Sequence, residues 1–307
     1  MVQIGLGVKL DTPALTTPIQ SLLTVATEVK ISGTEWMGGG RFVPQACCAA
    51  FVKHITCEPN GSEFFEDPNL VDGTPKRPDE LEVDVFYVYQ PLRANTVGFE
   101  KVALHERAEA YLEATTAKSV EYGFWTGVEN DGVTPAVDAG TVLTDPAVDV
   151  LAGGVAQTPF RALQSHIQYL ATCGSGGRGM IHATPSLVFD WWAGGHLRER
   201  NGKLETVIGG HYVVSGSGYT GSAPGNVDTA VPENEHWSYA TGMVMYALSD
   251  VFLDLDEQDL DELRRESIRR QDNSQEVYAK RVAMVWRDPC CHHGALADIT
   301  LNTGAHA

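Results

Sequence analysis

Basic residues are scarce in this chain of 307 residues, which carries 22 lysines and arginines against 40 aspartates and glutamates, a formal net charge of −18. A protein that holds phosphates by charge needs a basic surface, so this balance argues against a charge-driven nucleic-acid binder. It argues equally against docking on anionic lipid. At 43% hydrophobic and 20% charged residues, the composition is typical of a globular protein, which excludes a chain disordered throughout.

Long apolar runs are also missing from the sequence. No stretch of about 18 apolar residues occurs, so we predict no membrane span. Residues 1–7 lack a basic segment followed by an apolar core, so we predict no secretory signal. The length allows one large domain or two of ordinary size.

Cysteine is infrequent, and four of the six cysteines stand in adjacent pairs. Adjacent cysteines seldom bridge to each other without backbone strain. In a large chain without an export signal, we predict that the cysteines stay reduced. The six are Cys47, Cys48, Cys57, Cys173, Cys290 and Cys291.

Motifs of the common enzyme classes are absent: G-x-S-x-G, H-E-x-x-H and the phosphate-binding P-loop do not occur. The pattern G-x-G-x-x-G occurs twice, but a dinucleotide site needs a strand before these glycines and a helix after them. The first match follows a predicted helix, and the second leads into residues 222–225, which do not start a helix of that kind. We interpret both as tight turns. Their glycines are Gly174, Gly176 and Gly179, and Gly216, Gly218 and Gly221.

Two groups of residues contain the types that carry chemistry. Cys173 lies in a glycine-rich turn, and His182 or His166 could serve as its base. The run Cys290-Cys291-His292-His293 contains metal-ligand types, but neighbours on a strand alternate between faces, so at most one Cys and one His could meet a partner elsewhere. We predict no catalytic, cofactor-binding or metal site. A cytosolic α/β enzyme using Cys173 and His182 is the alternative.

The clearest predicted element is a long helix over residues 100–124, where apolar residues recur at helical spacing and glutamates crowd the first half. Residues 1–45 predict an extended arm with little core of its own. Residues 58–82 predict a long projecting loop, whose Phe64 and Phe65 could pack on this chain or on a neighbouring one. Further predictions are helices at 160–172, capped by Thr158, and at 185–192. Strands are predicted at 83–89, 180–183, 204–208, 211–215, 236–248, 275–286 and 294–299, with an acidic helix between those at 236–248 and 275–286.

Several short strings accompany this order of elements. They are Gly179-Met180-Ile181-His182-Ala183-Thr184-Pro185, Gly216-Ser217-Gly218-Tyr219-Thr220-Gly221, Trp237-Ser238-Tyr239-Ala240-Thr241-Gly242 and Val285-Trp286-Arg287-Asp288-Pro289-Cys290-Cys291-His292. The order and the strings together resemble the major capsid proteins of tailed bacteriophages, those of actinobacterial phages in particular, and the related encapsulin shells. The resemblance covers most of residues 80–300.

The resemblance implies an α+β fold of the Hong Kong 97-like type. It divides the chain into an N-terminal arm (1–50), an extended loop (51–90), a peripheral domain (91–154 and 256–307) built on the spine helix at 100–124, and an axial domain (155–255).

The resemblance also implies a structural shell subunit and not an enzyme. Copies would self-assemble as hexamers and pentamers into an icosahedral capsid that encloses double-stranded DNA without sequence-specific binding. Scaffold, portal and decoration proteins are further expected partners, with no membrane involved. The expected location is the virion capsid, assembled in the bacterial host cytoplasm. An encapsulin-type compartment is the alternative of the same class. No motif here carries over the Lys–Asn cross-link of some capsid families.

Overall fold

The computed structural model of the chain describes residues 20–31, 33, 35–42, 70–71, 74–75, 81–95, 101–128, 141–173, 177–225, 231–253, 274–288 and 291–302. These residues combine helices and sheets in an α+β fold, as the resemblance implies. The chain divides into two compact units, one of residues 1–18, 89–116 and 251–280, the other of residues 19–88, 117–250 and 281–307. The four-part division stays a prediction.

Three predictions lie outside the described residues. They concern the arm before residue 20, the aromatic pair Phe64 and Phe65, and the acidic helix before residue 274.

Four helices and sixteen strands are described. The helices are α1 (Leu22–Val25), α2 (Lys101–Thr126), α3 (Pro159–Thr172) and α4 (Pro185–Ala193). The strands are β1 (Thr27–Glu28), β2 (Gly40–Phe42), β3 (Leu70–Val71), β4 (Thr74–Pro75), β5 (Leu81–Val83), β6 (Val85–Asn95), β7 (Asp149–Val150), β8 (Met180–Ala183), β9 (Leu197–Arg200), β10 (Lys203–Thr206), β11 (Tyr212–Ser215), β12 (Glu235–Thr241), β13 (Val244–Leu248), β14 (Phe252–Leu253), β15 (Ser274–Arg287) and β16 (His292–Asp298). No described helix is both long and apolar enough to cross a membrane.

The long helix predicted at 100–124 is confirmed as α2. Its buried side chains include Ala108, Leu112, Val120 and Phe124, which recur at intervals of four and eight residues. That spacing keeps them on one side of the helix, and the alanine allows close packing there.

A seven-stranded sheet forms the main layer of the second unit, in the order β7-β16-β12-β8-β11-β10-β9. β8 lies at its centre, parallel to β11 and antiparallel to β12, and its four residues are all buried. The predicted pair of strands around Gly209 and Gly210 is confirmed as the antiparallel pair β10 and β11.

Helices α3 and α4 pack against this sheet. As predicted, Thr158 caps α3 by accepting a hydrogen bond from the backbone N–H of Arg161, and Pro159 occupies the first turn. The indole N–H of Trp191 on α4 donates to the backbone carbonyl of Pro159 at 2.8 Å, which ties the two helices together. The shared core joins Leu163, Leu170, Ile181, Leu187, Val188, Trp191, Leu197, Leu204, Val213, Ala240, Ala295 and Ala297.

The prediction of a single strand at 236–248 is wrong in one respect: these residues form two strands that belong to two different sheets. β12 belongs to the seven-stranded sheet, whereas β13 belongs to a five-stranded sheet. The chain changes sheet at Gly242, where a Cβ atom would lie 2.9 Å from the Cβ of Asp288. Glycine is needed there because the backbone of the crossover passes close to this neighbour.

The five-stranded sheet has the order β1-β13-β15-β14, with β6 beside β15. β1 pairs in parallel with β13, placing Thr27 opposite Met245. The segment around residue 27 thereby adds an edge strand beside β13, more than 200 residues later in the sequence. A second core lies here, formed by Trp36, Val83, Ala247, Val282, Met284 and Trp286.

Candidate functional site

His182, considered above as a general base, is fully buried at the centre of the seven-stranded sheet. Its Nδ1 lies 2.9 Å from the Tyr219 hydroxyl and its Nε2 3.0 Å from the Thr241 hydroxyl. Burial, aided by the positive charge of Arg287, lowers the pKa of His182 to about 3. The ring is therefore a neutral imidazole with both nitrogens engaged inside the protein.

His166, the other candidate base, is also fully buried. Its Nδ1 lies 3.0 Å from Nδ1 of His293, and its Nε2 lies 2.8 Å from the Ser238 hydroxyl. The pKa of His166 lies well below its ordinary value, mainly because the ring is buried and secondly because His293 is close to it. The pair links α3 to β16 through neutral rings, one of which donates to the other.

Cys173 forms a disulfide with Cys291, so the prediction that all cysteines are reduced is wrong. Cys173 follows the last residue of α3, Cys291 precedes β16, and their Cα atoms are 5.7 Å apart. The two are 118 residues apart in sequence and meet because α3 packs along β16. A sulfur held in a disulfide is no thiolate nucleophile, so Cys173 does not have the form that the Cys173–His182 enzyme alternative requires.

The run from Cys290 to His293 is divided between different partners, and Cys290 itself lies outside the described residues. Cys291 belongs to the disulfide, His293 contacts His166, and Nε2 of His292 lies 2.9 Å from the Leu143 carbonyl oxygen. Burial and the charge of Arg287 lower the pKa of His292 to about 2. Across the described ranges, no three His, Cys, Asp or Glu residues are grouped so as to hold a metal ion.

Arg287, at the end of β15, is buried and paired with Asp145 at 3.2 Å. Its Nε also donates to the Val142 carbonyl oxygen at 3.4 Å. Together with the contact between His292 and Leu143, these bonds hold residues 142–145 against the ends of two strands.

Glu121 on α2 is a buried carboxylate that no sequence pattern singled out. It accepts hydrogen bonds from the backbone N–H of Leu22 at 2.8 Å, the backbone N–H of Gly218 at 3.0 Å and the hydroxyl of Ser217 at 3.3 Å. Burial raises the pKa of this carboxyl, although the three donors lower it. One side chain thus joins the N-terminal segment, the long helix and the turn at 216–218.

Both glycine-rich stretches were predicted to be tight turns, and the second forms one, in which the backbone N–H of Tyr219 donates to the Gly216 carbonyl oxygen at 3.3 Å. Several of the described glycines also allow close packing. A Cβ at Gly218 would collide with the backbone carbonyl of Lys118 on α2, and one at Gly216 would lie 2.6 Å from the Tyr219 ring. A Cβ at Gly179 would lie 2.6 Å from the Thr241 carbonyl oxygen. Gly174 and Gly176 lie outside the described residues.

Replacing Glu121 is expected to destabilise the subunit. In Glu121→Ala the N–H groups of Leu22 and Gly218 lose a buried acceptor, which should cost about 2–3 kcal/mol of unfolding free energy. Urea unfolding measures this loss. Glu113→Ala, an exposed position of the same helix, is the control and should change stability by under about 0.5 kcal/mol. Equal unfolding midpoints for the two variants would contradict the role given to Glu121.

Large apolar side chains remain on the surface of α3 and α4. Phe189 and Trp192 are one helical turn apart on α4, and 70% and 46% of their surfaces are exposed. Phe160 at the start of α3 is half exposed, and its ring lies 4.7 Å from that of His196. An exposed apolar group of this kind typically marks a contact with another macromolecule.

Comparison of the whole chain with solved structures decides the fold. A capsid chain of an empty GTA particle superposes with a TM-score of 0.54 at 10% sequence identity, over 96% of this chain and 95% of that one. This chain has the Hong Kong 97-like capsid fold. The predicted fold class is thereby confirmed.

Two phage structures share this capsid fold. A chain of Gordonia phage Cozz has a TM-score of 0.50 at 11% identity, covering 97% of this chain and 91% of its own. A chain from the head of Helicobacter pylori bacteriophage KHP40 has a TM-score of 0.50 at 8% identity, covering 97% and 96%. Neither a protein-family model nor a curated protein sequence matches this chain.

Proposed function

We propose that this chain is the shell subunit of a tailed bacteriophage, which assembles with copies of itself into an icosahedral capsid around double-stranded DNA. The observation that carries the proposal is the capsid fold, matched over 96% of the chain with a capsid protein and over 97% with a phage head protein. The likeness extends from end to end, so the whole chain is accounted for by one shell subunit.

The chemistry of the described residues supports a structural role. The histidines and the cysteine considered for catalysis are engaged with internal partners: His182 with Tyr219 and Thr241, and Cys173 with Cys291. The exposed aromatic residues of α3 and α4 fit a subunit that keeps contact surface outside its own core. We therefore propose a subunit without catalytic, cofactor or metal site, located in the virion capsid and assembled in the host cytoplasm.

The net charge of −18 suits a wall that encloses nucleic acid without holding it. Small contacts repeated around a closed shell give such a wall its strength by multiplicity and symmetry. Scaffold, portal and decoration proteins are proposed as further partners.

Electron microscopy of the purified protein, with light scattering on the same sample, tests the proposal. We expect closed shells, or rings of five and six copies. DNA inside shells recovered from infected cells indicates a virus, whereas a protein cargo indicates an encapsulin-type compartment. A monomer or dimer at every concentration and salt level, with crowding agents added, would contradict the shell function.

A further inference from the structure

One end of the seven-stranded sheet is basic, in a chain that has few basic residues. Residues 197–203, which form β9 and the start of β10, contain Arg198, Arg200 and Lys203 but only one acid. Arg200 pairs with Lys203 across the two strands, and Arg198 pairs with Glu205. Side chains of paired residues share a face, so these cations lie together on one face at the sheet edge.

Internal contacts hold part of this basic group in place. Glu205 is buried and receives Arg178 at 3.3 Å on one carboxylate oxygen and Arg198 at 3.5 Å on the other. The Tyr212 ring lies beneath two cations, with the Arg178 guanidinium carbon 5.5 Å and the Lys203 ammonium nitrogen 5.3 Å from its centre. The two carboxylates of Glu199 and Glu205 cannot neutralise four cations, so this edge keeps a net positive charge. We call Arg178, Arg198, Arg200 and Lys203 the basic edge.

The opposite end of the same sheet is acidic. Residues 141–160, which include the outermost strand β7, contain Asp145 and Asp149 and no lysine or arginine. Asp298 ends the neighbouring strand β16, where it pairs with Glu235 of β12, and Glu233 is exposed just before it. We call Glu233, Glu235 and Asp298 the acidic edge. Asp149 pairs with His293, five residues before Asp298 on β16, and so lies on the other face of the sheet.

The carboxylate of Asp298 is held in its charged form. It accepts hydrogen bonds from the backbone N–H and the hydroxyl of Thr300, at 2.8 and 2.7 Å, and from the Asn234 amide at 3.0 Å. These donors lower the pKa of Asp298.

The separation of the two charges is what calls for an explanation. Asp298 ends β16 and Arg200 ends β9, and these strands are five strand spacings apart, so the two charge groups are about 24 Å apart across the strands at about 4.8 Å per strand. Charges of either sign protect an exposed sheet edge against unwanted pairing. Protection therefore explains charged edges but not opposite signs at opposite ends.

We propose that the basic edge of one copy docks against the acidic edge of the next copy, so that the sheets follow one another head to tail. This inference rests on the proposed shell function and names a contact within it. Contacts between two different surfaces of identical chains generate rings when the rotation between copies closes. Copies of net charge −18 repel one another, and the opposed edges supply local attraction and fix the orientation.

A charge exchange tests the contact. Arg200→Glu with Lys203→Glu reverses the basic edge without touching the ion pairs of Glu205. Glu233→Lys with Glu235→Lys reverses the acidic edge, and a fourth protein carries all four changes. Lys30→Glu with Lys118→Glu, both exposed and remote from these strands in the sequence, is the control with the same change in net charge as the first variant. Circular dichroism and thermal unfolding verify that each variant is folded.

Self-association is measured by sedimentation and light scattering across a salt series. Each edge reversal should weaken association on the order of tenfold or more relative to the control at low salt, and the fourfold variant should recover most of that loss. The differences in self-association between the variants should vanish near about 1 M salt, where the screening length is about 3 Å.

Four results would overturn the inference. If the folded single-edge variants self-associate as strongly as the unchanged chain, the proposed contact is wrong, but the shell function is not affected. If the fourfold variant self-associates as weakly as the single-edge variants, the proposed contact is again wrong and the shell function is not affected. Loss of binding to double-stranded DNA in the Arg200/Lys203 variant, with self-association intact, assigns the basic edge to phosphates instead. If the unchanged chain shows no self-association at any salt level, the shell function and the inference fail together.

Discussion

The unassembled subunit is expected to lose about 4 kcal/mol of unfolding free energy when the pH falls from 8 to 5. His182 and His292 have pKa values of about 3 and about 2 in the folded chain, against about 6.5 when unfolded. Because these values are lowered, the stability they contribute is complete above pH 6.5 and decreases as the pH falls toward 3. In that window each of the two histidines lowers the unfolding free energy by about 1.4 kcal/mol per pH unit, which amounts to about 2 kcal/mol at pH 5.

Other buried groups change this total in both directions. Burial also lowers the pKa of His166, His211 and His293, so these rings add to the loss. Burial raises the pKa of Glu121 and Asp190, which favours the folded state as the pH falls and offsets part of it. There are more of these histidines than of these acids, so we expect a net loss of unfolding free energy as the pH falls.

Urea unfolding at half-unit steps between pH 8 and pH 5 measures the effect. His182→Gln is the matched variant, because an amide can bond to the Tyr219 and Thr241 hydroxyls but does not titrate. Its unfolding free energy should depend less on pH than that of the unchanged chain, by about 2 kcal/mol over the range. An unfolding free energy that stays constant from pH 8 to pH 5 would refute the assignment of neutral buried rings.

Removing the disulfide between Cys173 and Cys291 is expected to cost up to about 5 kcal/mol. The bond closes a loop with a sequence separation of 118 residues, and the chain-entropy estimate for a loop of that length is about 5 kcal/mol. That loss is a large share of the roughly 5–15 kcal/mol that stabilises an ordinary domain. The effect acts mainly on the unfolded chain, so the folded subunit should keep its secondary structure.

The double variant Cys173→Ala with Cys291→Ala is compared with the unchanged chain, with and without a reducing agent. Reduction should lower the unfolding midpoint of the unchanged chain and leave that of the variant as it is. Peptide mapping after blocking free thiols identifies the bonded pair. Two blocked thiols at these positions, or a midpoint indifferent to reduction, would show that the bond does not form.

Local patterns in the sequence were enough for much of the fold. The helix of residues 101–126 follows from the spacing of its buried side chains, and α3 follows from Thr158 and Pro159 at its start. The hairpin around Gly209 and Gly210 follows from two β-forming runs separated by glycines. Each signal lies within one element, where side-chain period and backbone preference act directly.

The site features depend on contacts between distant parts of the chain and were not predictable in this way. Residues 236–248 are a β-forming run interrupted only by Gly242, and it is the packing of distant residues, Asp288 among them, that makes this glycine a crossover between two sheets. Glu121 is one of many glutamates on α2, and its donors Leu22 and Gly218 are about 100 residues away in either direction. His182 and Cys173 suggested a catalytic pair in sequence, but each has its partners elsewhere in the fold.

The bond between Cys173 and Cys291 also has a consequence for proteolysis. It encloses residues 174–290 in a covalent ring. A protease that cuts once anywhere within that ring leaves two pieces that are still joined, and they migrate as one band on a denaturing gel without reductant. With reductant the same sample separates into two bands. In the proposed shell, each subunit could therefore be nicked by a protease without releasing any fragment of the wall.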